Sequence, residues 1–318
     1  MAGTHFSDSM KVLITGGNGF IGSHLADKLI ELGHEVTLFD LGFTKNTEHI
    51  NCEKVVGDLR NFEDVLKVVK NKDAIFHFGA VSRVVWGQQD PYKCFQVNVG
   101  GTLNVLEAIT KTGNKATVFM GSSREVYGDP KTVPVTESFP KGPKSFYGVS
   151  KLTGEGLFLS YHRYSGVKSI ILRFSNVYGS ERDQLDRVTP KFILEALNNQ
   201  PLVLHGGKQT FDFTFIDDTI DGILKAFKKS DEIVGEDFHF VTGKGTSVED
   251  LAKKVIKFCK SDSKIVVNPE NNFDVELFIG DYEKASKTLG YKPKITFDEG
   301  IKKTIDLYRK LELFKRKL

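Results

Sequence analysis

Cysteine is scarce: Cys52, Cys94 and Cys259 are the only three in 318 residues, an odd number with no paired-ligand spacing. Neither a disulfide framework nor a zinc site is expected, and the thiols read as reduced. The eight histidines show no metal-ligand spacing either. Long apolar runs are missing, since no window approaches the roughly 18 consecutive apolar residues of a membrane helix. The N-terminus also lacks the basic-then-apolar pattern of a signal peptide. The expectation is a cytoplasmic protein with no membrane partner. Strong charge of one sign is missing as well: the formal net charge is +3, and residues 301–318 hold seven Lys/Arg against Asp306 and Glu312, leaving the rest slightly acidic. This excludes nucleic acid as the main ligand, because binding a phosphate backbone takes a basic face. The basic end, KRKL, reads as a solvated helix end. There is no tandem repeat and no low-complexity linker.

What is present is an ordinary globular balance, 40 % hydrophobic and 27 % charged, in a chain longer than one typical nucleotide-binding unit. Thirty residues are glycine, and four of them fall at positions 16, 17, 19 and 22. Residues 1–9 are polar and aperiodic and read as a disordered leader. From Met10 the apolar run KVLIT meets these glycines, and FIGSHLADKLIELG follows with apolar residues at helical spacing. Strand, turn, helix is the result. EVTLFD, ending on Asp40, is the next strand, and KVVGDLR, AIFHFGA and ATVFMGSS continue the series with helical segments at 61–71 and 98–112 between them. Further strands are expected at 168–174, 201–204 and 238–242, and helices at roughly 145–165, 190–198, 217–229, 247–260, 283–289 and 298–311. Strands alternating with helices imply an α/β fold, a Rossmann-type doubly wound parallel sheet. The alternation thins after residue 175. The domain reading is therefore a dinucleotide-binding domain at 10–175 with returning segments near 201–230, and a smaller interleaved C-terminal substrate lobe over most of 176–318, expected to supply a lid over the strand ends.

Gly16, Gly19 and Gly22 give the turn its chemistry: a tight turn lets the backbone approach a pyrophosphate, which then rests on the amides and positive end of the following helix. Asp40 closes the next strand 18 residues later, where a carboxylate accepts from ribose hydroxyls and repels a 2′-phosphate, so the cofactor is expected to be NAD. Tyr147 and Lys151 share a helix face at i and i+4, where the ammonium lowers the phenol's pKa and lets it act as a base. Ser122 and Ser123 end a strand whose carboxyl edge faces the ligand.

These motifs resemble the extended short-chain dehydrogenases/reductases, specifically the nucleotide-sugar epimerase/dehydratase family, from Met10 to about Tyr308. The GxxGxxG spacing of TGGNGFIG, with Phe20 and Ile21 inside it, is that of the extended branch. In GDLR, Asp58 and Leu59 match adenine-contacting positions, and in HFGA, Phe78 and Ala80 lie in the loop under the cofactor. Asn98 opens NVGGTLN, which matches the helix that buttresses the active site. SSREVYG and LRFSNVYG match the two most recognisable stretches. The resemblance implies oxidation at sugar C4 by a bound, regenerated NAD, with Tyr147 as base, Ser123 holding the same oxygen, Lys151 tuning the phenol, and Ser122 at the cofactor. It also implies a homodimer, through helices 98–112 and 145–165.

Several positions depart from the family pattern. Glu125 resembles the glutamate of dehydratases and of the glucuronate decarboxylase, but Arg124 stands where dTDP-glucose-type dehydratases carry an aspartate acid, and arginine stays charged. Arg124 is open to three readings: a sugar carboxylate contact, a partner for Glu125, or a surface loop residue. Phe211 and Leu277 replace two arginines expected at the diphosphate; Asn176 matches a phosphate-contacting asparagine, and Arg187 would supply charge. Ser82 reads as a sugar contact, Trp86 as pocket wall or core, and His77 as a satisfied loop histidine. The first functional reading is a nucleotide-sugar 4-epimerase acting on a UDP-sugar or UDP-uronic acid. Its alternatives are a 4,6-dehydratase or UDP-glucuronate decarboxylase using Glu125 and, more distantly, a non-catalytic NAD-binding regulator.

Overall fold

The computed structural model describes residues 9–313. Residues 1–8 of the leader and 314–318 of the basic end lie outside them. In chain order the elements run β1 (Lys11–Thr15), α1 (Phe20–Glu31), β2 (Glu35–Asp40), β3 (Glu53–Val56), α2 (Phe62–Val69), β4 (Ala74–His77), α3 (Val84–Gln89) and α4 (Pro91–Phe95). A π-helical turn at Gln96–Gly100 leads into α5 (Gly101–Thr112), followed by β5 (Thr117–Ser123), α6 (Phe146–Ser165), β6 (Ser169–Phe174) and β7 (Asn176–Tyr178). Then come α7 (Val188–Leu197), β8 (Leu202–His205), β9 (Thr210–Phe215), α8 (Ile216–Lys228), β10 (Asp237–Phe240), β11 (Gly245–Ser247), α9 (Val248–Cys259), β12 (Ile265–Asn268), β13 (Leu277–Phe278), α10 (Glu283–Leu289) and α11 (Phe297–Lys310).

By compactness the described chain divides into two units. The first holds the residues up to Val126, Ser145–Arg173 and Ile223–Phe238; the second holds Tyr127–Lys144, Phe174–Gly222 and the residues from His239. The segment 127–144, read from sequence with the first domain, thus groups with the second unit.

A seven-stranded parallel sheet in the order β10-β6-β5-β4-β1-β2-β3 dominates the first unit. Its central strands are apolar on both faces, as helices covering both sides of a parallel sheet require. β5 is buried along its whole length and β1 beyond its first residue. From β1 the chain builds outward through β2 and β3, then returns to β4 on the other side of β1 and continues to β5 and β6. The reversal between β1 and β4 is the place where doubly wound sheets open a crevice at their carboxyl ends. Gly16 and Phe78 follow directly from those two strands. In the second unit β9 is the hub, pairing in parallel with β7 and β13 and antiparallel with β11. Of TFDFTF the sequence reading singles out only Phe211, yet Phe211, Phe213 and Phe215 are all buried there.

Helix ends carry the expected caps. Ser145 accepts from the Gly148 amide at the start of α6, Asn61 from Glu63 at α2, and Thr296 with Glu299 forms a capping box on α11. The helix expected at 98–112 begins as a π turn, and helices α3 and α4 were not expected. Strands β7, β9, β11, β12 and β13 were likewise not anticipated. They are short or buried on both faces, so the period of two that marks a half-buried strand is weak.

The buried ion network joining α6 to β6 and β10 is the main charged element of this core. Arg173 donates to Glu155 Oε1 at 2.7 Å and Oε2 at 2.8 Å and lies 2.6 Å from Asp237, with Arg173 and Glu155 both buried. Removing one member of a buried pair strands the other charge. Arg173→Met is expected to lose about 3–5 kcal/mol of stability, read as a lower urea midpoint by circular dichroism; an unmoved midpoint would show the network to be energetically neutral.

Candidate active site

The glycine turn between β1 and α1 is shaped for a close approach. Gly16 sits at φ +70°, and a Cβ there would lie 2.6 Å from the Gly79 nitrogen. A Cβ on Gly22 would run into the Gly16 carbonyl. The turn is pinned by the Gly16 amide donating to Phe39 O at 2.9 Å and the Gly19 amide to Gly16 O at 3.0 Å. Gly19 caps α1 without a side-chain hydrogen bond, and the first turn contains no acidic residue. The amides at this helix end are therefore free of side-chain caps, as a pyrophosphate site demands. Asp40, at the end of β2, accepts from the Asn18 amide at 2.9 Å and the Leu41 amide at 2.8 Å. Burial pushes its pKa up, and the two amides oppose that shift. Asn18 Oδ1 in turn accepts from Thr44 and Thr47, fixing the loop after Asp40. Asp58 is engaged by Arg60, which holds its carboxyl below the usual range, and Leu59 packs where a Cβ on Gly79 or Gly101 would stand. These residues fit a dinucleotide with an unphosphorylated ribose.

Tyr147 and Lys151 lie one turn apart on the buried face of α6, with Lys151 Nζ 5.9 Å from the Tyr147 ring centroid. The ammonium donates to the Gly121 carbonyl at 2.9 Å, tying α6 to β5. Burial lowers the Lys151 pKa to about 8, against opposing effects of Cys94 and Glu155. One turn further along α6, Glu155 accepts the Ser122 hydroxyl at 2.6 Å. Ser122, expected at the cofactor, thus spends its proton on this carboxylate. Ser123 points elsewhere, its Oγ accepting from the Glu125 amide at 3.2 Å.

Arg124 is buried and not a surface residue; its Nη1 lies 2.9 Å from Glu125 Oε1. Glu125 Oε2 also accepts from the Ser145 hydroxyl at 3.4 Å. Of the three readings of Arg124, burial excludes the surface residue, and the 2.9 Å approach supports a partner for Glu125. Trp86 is 40 % exposed and hence not core, with the Arg83 guanidinium 5.5 Å over its ring. Ser82 is exposed on the loop that leads into α3. That loop is clamped by Asn98, which donates to the Val81 carbonyl at 3.1 Å and accepts from its amide at 2.7 Å. Asn98 also donates to Ser150 Oγ at 2.9 Å.

His77 closes a proton-ordered chain. The Gly79 amide donates to Thr15 Oγ1, which lies 2.9 Å from His77 Nδ1. His77 Nε2 lies 3.0 Å from Thr102 Oγ1, whose own proton goes to the Asn98 carbonyl. Thr102 must then accept, so Nε2 carries the ring proton and Nδ1 accepts from Thr15. Burial drops the His77 pKa to about 3, so the ring is neutral as the chain requires. This histidine is structural, joining the Gly79 loop to the π turn at Asn98.

In the second unit, Asn176 opens β7, in register with Phe213. Arg187 caps α7 and pairs with buried Asp183 at 3.2 Å. Phe211 is buried and paired with Thr246 and Phe278, and Leu277 pairs with Thr210. Sequence reasoning missed Ser145, Ser150 and Glu155. The last was within reach, standing four residues after Lys151 on the same face. Among the described residues no cluster of His, Cys, Asp or Glu could hold a metal, and no helix is long and apolar enough to cross a membrane.

Comparison with known proteins bears on this geometry. A model of the GDP-mannose 4,6-dehydratase family matches residues 13–304. A Methanocaldococcus jannaschii protein provisionally named UDP-glucose 4-epimerase is 36 % identical over 301 residues, 93 % of this chain and 97 % of that protein. UDP-glucuronic acid decarboxylase 1 of Danio rerio is 32 % identical over 317 residues, 96 % of this chain and 74 % of that protein. The solved structure of UDP-glucuronic acid 4-epimerase from Bacillus cereus, in complex with UDP-glucuronic acid and NAD, aligns with a TM-score of 0.90 at 29 % identity, covering 95 % of this chain and all of that one.

Asp40→Ala removes the one carboxylate at the ribose position. NAD affinity measured by calorimetry is expected to fall about tenfold, the worth of a charge-assisted hydrogen bond; an unmoved affinity would remove the assignment.

Proposed function

The chain belongs to the GDP-mannose 4,6-dehydratase family of extended short-chain dehydrogenases/reductases, and we propose that within it the protein is a UDP-hexose 4-epimerase. It is an enzyme of a family whose members are NAD-dependent epimerases, dehydratases and decarboxylases of nucleotide sugars. The observation that carries the choice is the buried pair Arg124–Glu125, 2.9 Å apart, with Ser145 as a further donor to Glu125. A glutamate held this way is engaged and not poised to handle a proton at C5, and its arginine is not available to a sugar carboxylate. Ser123, Tyr147 and Lys151 remain, and 4-epimerisation needs no further acid or base.

In this reading Tyr147 takes the C4 hydroxyl proton and later returns it, while the Ser123 hydroxyl holds the same oxygen. Lys151, charged below about pH 8, favours the phenolate by proximity. Gly16, Gly19, Phe20, Ile21 and Gly22 would hold the cofactor's pyrophosphate, Asp40 its ribose, and Asp58, Leu59, Phe78 and Ala80 its remaining contacts. NAD, when bound, supplies the reversible hydride acceptor at C4. The resulting 4-keto sugar turns over and is reduced on its other face. Asn176 and Arg187 of the second unit are assigned to the diphosphate. A decarboxylase is the second reading, favoured by Glu125 itself: it is buried two residues after Ser123 and the chain has a decarboxylase relative.

A homodimer is part of the proposal. Leu103 on α5 and Phe146, Val149 and Tyr164 on α6 are exposed apolar side chains, and Gly100 and Gly156 have open space at their Cβ positions. Light scattering is expected to give a dimer mass for the wild type and a monomer mass for Val149→Arg; a monomeric wild type rejects the dimer.

UDP-glucose and UDP-glucuronic acid, each incubated with the NAD-loaded protein, separate the activities. The expected product is a C4 epimer of UDP-glucose, unchanged in mass and resolved by chromatography. Loss of carbon dioxide from UDP-glucuronic acid would establish the decarboxylase, and loss of water a dehydratase. Tyr147→Phe should lower kcat by about 10³-fold or more with NAD still bound, since it removes the base; a variant that turns over normally defeats the assignment of Tyr147.

A further inference from the structure

Gly87 stands in the middle of the six-residue helix α3. Glycine there costs about 1 kcal/mol relative to alanine in helix propensity, and its φ is not in the left-handed region that would call for glycine. The reason lies in what it touches. A Cβ at position 87 would stand 3.2 Å from both Tyr147 Cβ and Tyr147 N, and 3.3 Å from Cys94 Sγ. These distances are shorter than ordinary van der Waals contact, so α3 is seated directly on the backbone of Tyr147. The next residue, Gln88, accepts the Phe146 amide at 2.9 Å, one of the orphan donors of the first turn of α6. On the other side, the Ser150 hydroxyl donates to the Tyr147 carbonyl at 2.7 Å and is itself held by Asn98. The tail of α3 is fixed in turn, because the Asp90 amide donates to Trp86 O and Asp90 Oδ1 caps α4 through the Lys93 amide.

We propose that α3 is the positioning element for Tyr147, with Gly87 admitting the helix to the tyrosine backbone and Gln88 holding the preceding amide. Neither residue reaches the reacting atoms. They act by fixing where the first turn of α6 places the phenol relative to Lys151, whose Nζ is anchored independently on the Gly121 carbonyl. A methyl group at position 87 would have to push either Tyr147 or Cys94 by a few tenths of an ångström. Because Lys151 stays on β5, a displaced Tyr147 separates from the ammonium that favours its phenolate. The inference rests on the reading of Tyr147 as the acid–base group.

The test is the ionisation of the Tyr147 phenol itself, which needs no substrate. Tyrosinate absorbance is titrated in the purified full chain, and subtraction of the Tyr147→Phe titration isolates this phenol from the other eight. In the wild type the Tyr147 step is expected below the ordinary phenol value of about 10. Gly87→Ala and Gln88→Leu are each expected to raise it by about one pH unit. Gly87→Ala/Cys94→Ala opens space on the far side of the added methyl and should recover most of the shift. Thermal melts run alongside distinguish a structural role, which lowers the melting temperature without moving the step. A shift in Gly87→Ala reversed by its rescue, or a shift in Gln88→Leu at an unmoved melting temperature, upholds the proposal; Gln88→Leu provides this test even if Gly87→Ala fails to fold. A lowered wild-type step that neither variant moves overturns the positioning role while leaving the reading of Tyr147 intact. A wild-type step at the ordinary value overturns both.

Discussion

The attachment of α6 to the end of β5 is the constraint on which the active residues depend. It is made twice, one turn apart: Lys151 Nζ on the Gly121 carbonyl, and Glu155 on the Ser122 hydroxyl. Close packing makes these bonds possible, since Gly154 lies where a Cβ would press on the Met120 side chain. Arg173 then neutralises Glu155 from β6, and Asp237 neutralises Arg173 from β10. The sheet and α6 thus share one buried polar network. Ser122, Glu155, Arg173 and Asp237 partner one another in it, and networks joined this way favour a single arrangement. Ser123, the next residue after Ser122, inherits its place from this attachment.

Burial also sets the protonation states. Lys151 pays for its desolvation with a pKa of about 8, close enough to neutrality for its charge to respond to whatever phenol or ligand stands beside it. His77, deeper in the same unit, is driven to the neutral form and orders two threonine hydroxyls around it. The same desolvation therefore leaves one group able to serve acid–base chemistry and makes the other purely structural. What separates them is where each starts, an ammonium near 10.5 against an imidazole near 6.5, together with the Lys151 charge, which lowers the His77 pKa further.

The alternation of strands and helices to residue 175, the glycine turn, Asp40 and the Tyr147/Lys151 spacing were all legible because each is local in sequence. A period, a turn requirement or an i,i+4 pair can be read without knowing the fold. The hydrogen-bond partner of Ser122 was not, because the Oγ of a strand-end serine is directed by what packs on the strand, and Glu155 is 33 residues away. Arg124 shows the same limit. Its alternatives were set by type and position, and only its burial sets aside the surface reading. The strand at Thr210–Phe215 was overlooked because its phenylalanines alternate with Asp212 and Thr214, which are also buried, so the polar residues carry no outward face to mark a period of two.

Asp212 explains why Phe211 is not a simple exchange of an arginine for an aromatic. Its carboxylate is fully buried and accepts from the Thr242 amide and hydroxyl and from the Gly243 amide, yet burial still raises its pKa to about 6. The residue beside it stands between β11 and β13, paired on both sides. Leu277 is in register with the neighbouring Thr210. The two departures from the family pattern fall on one strand pair but on opposite faces of it, because Leu277 shares the face of Thr210 and successive residues alternate. Arg187 is already matched by Asp183, so it does not restore the charge of the two expected arginines in full. Phe211, buried between β11 and β13, takes its place from the packing of β9, whereas Leu277 sits half-buried on the other face.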